Sequence, residues 1–112
     1  MKVIIAAQIK VAAERRDEAL SAASSIIDNI LLQEGCIRYD WAADCRNPEL
    51  IIVFEEWADQ SALDQHFAGT NFGKMNALLA EIGVKSAAAK KYGIDCEGSV
   101  FSADGAPTSK FE

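Results

Sequence analysis

Along the chain the spacing of hydrophobic positions changes several times, and each change predicts an element. Residues 2–11, KVIIAAQIKV, are rich in β-branched side chains and apolar at both odd and even positions, which predicts a strand covered on both faces. Over residues 14–33 the period becomes helical. Leu20, Ala23, Ile27, Ile30 and Leu31 recur every three or four positions, while Arg15, Arg16, Glu18 and Asp28 fall mostly elsewhere. Gly35 then stands where a left-handed C-cap stops a helix. Cys36–Cys45 returns to alternation, with Ile37, Tyr39 and Trp41 on one face and Arg38, Asp40 and Asp44 on the other. Arg46-Asn47-Pro48-Glu49 predicts a turn and Leu50–Trp57 a third strand, so the second and third strands form an antiparallel hairpin.

Helical spacing resumes at Asp59 or Ser61, where Ser61-Ala62-Leu63-Asp64 has the form of a capping box. Leu63, His66 and Phe67 fall on one side of this segment. Gly69-Thr70-Asn71 interrupts it, and Asn71 is placed to cap a further segment. There Phe72, Met75, Leu78, Leu79 and Ile82 repeat at helical spacing until Gly83. Residues 84–94 carry two signals: Ala87–Ala89 favour helix, whereas the fold needs a fourth strand that Lys90–Ile94 can supply. From Asp95 onward, Gly98, Gly105 and Pro107 predict an irregular tail.

The order β-α-β-β-α-β predicts an α+β, ferredoxin-like split βαβ domain over residues 1–95, followed by an irregular C-terminal tail over 96–112. Such a domain is a four-stranded antiparallel sheet with its helices on one face. Because the first and third strands are apolar on both faces, the side away from the helices is apolar too. An uncovered face of that kind is an aggregation liability, and a second copy packed sheet to sheet covers it, so a homodimer through the open sheet face is expected.

Composition narrows the function classes. One domain fits 112 residues, 50% of them hydrophobic and 25% charged. The formal net charge of −6 and the lack of a basic patch interleaved with aromatics argue against nucleic acid as a partner. Arg15-Arg16 and Lys90-Lys91 are expected as solvated faces. Cys36, Cys45 and Cys96 have no CxxC spacing, which predicts buried, reduced thiols rather than a disulfide framework or a zinc site. The apolar run Val3–Ala7 is short for a secretory signal, and no stretch approaches a membrane span, so no membrane partner and a cytoplasmic location are expected.

Candidate chemistry converges on one place. The single histidine leaves no two-histidine metal site within one chain, and no metal is expected. Trp57 ends the third strand, His66 lies on the next helix, and Phe67 and Phe72 follow. A histidine on the apolar side of a helix titrates near neutrality and serves as acid or base. Aromatic neighbours make a dry pocket for a flat ligand. A break at Gly69 is expected to open the chain onto a cavity beside His66. The competing reading places His66, Trp57 and the phenylalanines in the core.

These residues carry a resemblance. Glu34-Gly35-Cys36-Ile37-Arg38-Tyr39, Phe54-Glu55-Glu56-Trp57, Ala62-Leu63-Asp64-Gln65-His66-Phe67 and Asn71-Phe72 resemble the antibiotic biosynthesis monooxygenase family, most closely its quinol-monooxygenase-like members. The resemblance implies a dimeric α+β barrel with a pocket between sheet and helices in each subunit. It further implies oxygenation of a quinol-like or polyketide aromatic compound by molecular oxygen, without metal, flavin or other cofactor. Trp57 and His66 fit the family's pattern, while a second histidine of the quinol-monooxygenase-like group falls at Asn71. If the protein is an enzyme, His66, the only side chain with an unperturbed pKa near neutrality, is the expected catalytic group, with Trp57 walling the substrate pocket, Tyr39 or Asn71 as hydrogen-bond donors, and Phe67 and Phe72 as its aromatic neighbours. Anthrone-oxygenating members carry asparagine and tyrosine where this chain has Val53 and Leu63, and the haem-degrading relatives' iron-binding histidine falls near Asn76. An isomerase using His66 for proton transfer and a non-enzymatic ligand-binding or stress-response module are the alternatives on the same fold.

Overall fold

A computed structural model describes residues 1–111. Strand β1 (Lys2–Val11) leads through a short 3-10 turn (Ala13–Arg15) into helix α1 (Arg16–Ile30). The hairpin β2 (Cys36–Ala43) and β3 (Leu50–Trp57) follows, then helices α2 (Gln60–Ala68) and α3 (Thr70–Ile82), and strand β4 (Val84–Ile94). The strands form one sheet in the order β2-β3-β1-β4 with every neighbouring pair antiparallel. This is the split βαβ arrangement: β3 lies between β1 and β2, and β1 between β3 and β4. Residues 95–111 carry turns and a single bridge, Phe101 to Pro107, and Glu112 of the predicted tail lies outside the described residues.

Alternation sorts the sheet into two faces. Val3, Ile5, Ile9 and Val11 of β1 and Ile51, Val53, Glu55 and Trp57 of β3 are buried under the helices. Ile4, Ile52 and Phe54 fall on the opposite face. In α1 the fully buried positions Ala19 and Ala23 are small, which lets the helix approach the sheet closely, and Ile30 anchors its end.

Several local expectations are corrected. Helix α1 stops at Ile30, and Leu31 and Leu32 are exposed in the turn beyond it. Ile37 does not share the face of Tyr39. The β2–β3 register shifts between Cys36 and Arg38, so Cys36 takes the inward place opposite Trp57 and Ile37 is left half exposed. Of the two starts offered for α2, Asp59 is the cap, its carboxylate accepting the Ala62 N–H at 2.8 Å, and the capping box two residues later at Ser61 does not form. Nor does Asn71 cap α3, whose N-cap is Gly69. Ala87–Ala89 are strand: pairing with β1 along the whole of β4 overrides alanine's helix preference.

Arg15 and Arg16 are not merely solvated. Arg15 donates to the carbonyls of Glu81 and Ile82 at the end of α3, and Arg16 donates to Asp44, Asn47 and Leu50 carbonyls in the hairpin turn. The thiols are also not buried as a set. Cys45 lies in that turn and Cys96 beyond β4, both exposed, and only Cys36 is partly covered; all three are free.

Gly35 joins α1 to the functional region. Its φ of +81° is a left-handed value, and a Cβ there would stand 2.4 Å from the Ala62 Cβ of α2. Its carbonyl also accepts the Ala58 N–H at 2.8 Å. Gly83 has a similar φ of +89° but open space around it. Both glycine-to-alanine changes therefore carry backbone strain of about 1–3 kcal/mol, and only Gly35→Ala adds a clash with α2. Chemical denaturation should show Gly35→Ala as clearly the more destabilising; equal losses would mean that the α2 contact is readily relaxed.

Candidate active site

Trp57 is the floor of the site. It is the last residue of β3, points inward by strand parity, and is fully buried. Helix α2 turns back over it and delivers His66, itself only 1% exposed. The imidazole lies 4.6 Å from the Trp57 ring, centroid to centroid, with 33° between planes. Tyr39 and Phe67 lie 5.8 Å from it and Phe72 5.6 Å. One imidazole is thus enclosed by four aromatic rings from β2, β3, α2 and α3, within the range of favourable ring packing.

Its polar contact comes from a turn. Gln33 follows α1, and its backbone is held twice: its N–H donates to the Ile30 carbonyl, and its carbonyl accepts the Cys36 N–H. The Gln33 side-chain Nε2 stands 3.1 Å from His66 Nδ1. Asn71, in the first turn of α3, donates its Nδ2 to Gln33 Oε1 at 3.0 Å. This contact uses the side chain that the sequence assigned to capping. Burial in apolar surroundings lowers the His66 pKa below its ordinary value and favours the neutral ring.

A second titratable group lies beside the first. Glu55 is 92% buried, pairs in register with both Ile5 and Tyr39, and accepts the Trp57 indole N–H at 3.0 Å. Burial raises its pKa, and the bond from Trp57 opposes that rise. Burial, and then the Glu55 charge, raise the Tyr39 phenol and push the Cys36 thiol up to about 11. Tyr39 is therefore a neutral hydroxyl, and Cys36 is not a thiolate nucleophile. Neither Gln33 nor Glu55 was singled out from the sequence. Gln33 sits in a turn without periodicity. Glu55 did carry a signal, a carboxylate at the inward parity shared by Val53 and Trp57.

A cleft of about 970 Å³ opens between α2 and the β1–β4 edge, lined by Val3, Ile5, Leu63, Phe67, Ala89 and Lys91 among others. It does not lie at the Gly69 break, where the sequence placed an opening. It runs along the other side of α2, because β4 is exposed on both faces there and no helix covers it. Of the six predicted site residues, only Phe67 lines this cleft. His66, Trp57, Tyr39, Asn71 and Phe72 gather behind it. Phe67 is 47% exposed, rather than core, and its ring, which lines the cleft, also lies 5.8 Å from the imidazole. Val53 and Leu63 are both buried, apolar side chains. No helix among the described residues is long and apolar enough to cross a membrane. No group of three or more His, Cys, Asp or Glu among them is placed to hold a metal ion.

The fold and this buried histidine define a ferredoxin-like α+β domain with an aromatic site under one helix. A sequence model of the antibiotic biosynthesis monooxygenase family matches residues 2–78, and the chain belongs to that family. The Bacillus subtilis protein YcnE, provisionally named a monooxygenase, is 30% identical over 70 residues, covering 62% of this chain and 74% of its own. An uncharacterised Synechocystis protein is 27% identical over 92 residues, covering 82% of this chain; the chain spans only 63% of that relative's length. A conserved Methanosarcina mazei protein superposes with a TM-score of 0.75 at 32% identity, covering 82% of this chain and 91% of its own. A Deinococcus radiodurans protein provisionally described as an antibiotic biosynthesis monooxygenase superposes with a TM-score of 0.81 at 18% identity, covering 89% and 99%.

The two buried titratable groups bend the pH–stability curve in opposite directions. His66, lowered, contributes stability that is full above its unfolded value near 6.5 and is lost as pH falls through its folded value. Glu55, raised, contributes stability that is full below its unfolded value near 4.5 and is lost as pH rises through its folded value. Glu55→Gln retains an acceptor for Trp57 but cannot ionise. Its denaturation midpoint, relative to that of the parent, should therefore rise as pH is raised above 4.5. Parallel curves for the two proteins would show that Glu55 ionises as freely in the folded state as in the unfolded chain.

Proposed function

We propose that the protein is a cofactor-independent monooxygenase of quinol-like aromatic compounds, using molecular oxygen. The observation that carries this reading is the sole histidine, enclosed by four aromatic rings, one of which, Phe67, also lines a cleft of about 970 Å³. Membership of the monooxygenase family supports it. The apolar character of Val53 and Leu63, where anthrone-oxygenating members carry polar groups, favours a quinol-like ring over an anthrone.

Phe67 is the partition. Rotation of a half-exposed side chain is a ps–ns event and brings the cleft into contact with the imidazole. The ligand ring then packs on Phe67 and Leu63 while a hydrogen bond to His66 stabilises the electron-rich oxyanion. A quinol hydroxyl gives its proton to solvent, the anion passes one electron to oxygen, and the radical pair closes a C–O bond at the adjacent ring carbon, which bears one hydrogen. The peroxide takes up a proton, then loses that carbon's hydrogen together with its outer oxygen as water and leaves a carbonyl. The hydroquinone thus becomes a hydroxyquinone: one oxygen atom enters the product and the other leaves as water, with all four electrons drawn from the quinol ring. The protein's share is to orient the ring, stabilise its anion and exclude water.

The second copy expected from the sequence belongs to this reading. The sheet face away from the helices holds a shallow apolar hollow of about 340 Å³ lined by Ala6, Ile52, Phe54 and Ala88 among others, and Arg38 lies over the Phe54 ring at 4.8 Å. A homodimer through this face would leave the cleft on the outer side of each subunit.

Two measurements test the proposal. Oxygen uptake with simple hydroquinones, without added flavin or metal, should exceed the spontaneous rate, and His66→Ala should reduce kcat/KM by about 10²–10³, the loss expected for one preorganised donor, in protein that remains folded at the assay temperature. Uptake no faster than autoxidation would refute it. Light scattering at micromolar concentration should give twice the chain mass, and Ile52→Glu should give the single-chain mass; a monomeric parent protein would sink the sheet-to-sheet dimer.

A further inference from the structure

The three side chains Gln33, His66 and Asn71 form a directional chain. A primary amide has one accepting end and one donating end. Asn71 Nδ2 can only donate, and it donates to Gln33 Oε1 at 3.0 Å. With the Asn71 amide so placed, the Gln33 amide turns its Oε1 to Asn71. Its Nε2 is then the end nearest His66 Nδ1, at 3.1 Å against 3.3 Å for Oε1. An N–H pointed at Nδ1 needs a lone pair there, and in a neutral imidazole the ring proton then resides on Nε2. His66 Nε2 makes no hydrogen bond to a described residue.

We infer that Gln33, oriented by Asn71, is a positioning residue that holds His66 as the Nε2–H tautomer, so that the imidazole meets its ligand as a hydrogen-bond donor and selects an aromatic ring bearing a carbonyl or oxyanion oxygen. That this ligand is a substrate rests on the proposed function, and the tautomer sharpens the role of His66. With Nδ1 occupied and Nε2 already protonated, the ring does not abstract the substrate proton. It stabilises the anion once formed, as a preorganised donor does. The fixed backbone of Gln33, tied to Ile30 and Cys36 on either side of its turn, supports such preorganisation.

The chain's single histidine makes the inference directly readable. Long-range ¹H–¹⁵N spectra of untagged protein labelled at histidine should show Nδ1 in the unprotonated range and Nε2 in the protonated range at neutral pH. Gln33→Glu replaces a donor with a carboxylate that only accepts, and it should move the proton to Nδ1. Asn71→Asp should do the same at one remove, because the aspartate takes the Gln33 amide N–H and turns Oε1 toward His66. A parent spectrum with Nδ1 protonated overturns the inference, as does Gln33→Glu with an unchanged tautomer in a folded protein. If Gln33→Glu fails to fold, Asn71→Asp and the parent spectrum still decide. These spectra need no turnover, so a failed oxygen-uptake assay with the expected tautomer would refute the proposed reaction and leave this assignment standing.

Discussion

Trp57 must be buried, and its indole N–H must be satisfied where it is buried. Most of the site's arrangement follows from that pair of demands. A polar hydrogen without a partner in an apolar interior costs about 1–3 kcal/mol. Here Glu55, two residues back on the same strand face, meets it at 3.0 Å. The solution places a carboxyl group in the core, raises its pKa, and sets Glu55 opposite Tyr39 on the neighbouring strand. The broad face of the indole is left free, and the His66 imidazole lies on it. An α2 seated on that face needs a tight entry from β3, and Gly35 provides the space, since any Cβ there would meet Ala62.

The apolar lining and the polar contacts of the site come from different kinds of sequence. The aromatic rings arise from regular elements whose periodicity packs them together. The hydrogen bonds that give the imidazole a direction arise from a turn after α1 and the first turn of α3. This division explains what was legible in the sequence. Strand alternation and helical spacing specified the sheet, the helices and the meeting of Trp57 with His66, because burial enforces period and parity. The fourth strand was ambiguous because Ala87–Ala89 prefer helix on their own and become strand through pairing with β1.

What the sequence hid was the result of competition between partners. Asn71 has the residue type of a helix cap, but Gly69 takes that position and Asn71 bonds Gln33 instead. Asp59 and Ser61 both stand as starts for α2 in the sequence, and the choice falls to Asp59. Arg15 and Arg16 look like surface charge, yet each is drawn to carbonyls left unpaired by a helix end and a hairpin turn. The position of the cleft was equally hidden. It depends on β4 being an uncovered edge strand, a property of how many helices reach across the sheet and not of any local pattern.

The central claim is that the cleft under α2 and the buried imidazole form one ligand site with Phe67 between them. It is tested most directly by a crystal structure grown with a redox-inert phenolic analogue of a quinol. The account predicts the ring packed against Leu63 and Phe67, with Phe67 rotated and the ligand oxygen within hydrogen-bond distance of His66 Nε2. A ring bound on the open sheet face, or lodged in the cleft with Phe67 unmoved and His66 still sealed behind it, would contradict the account.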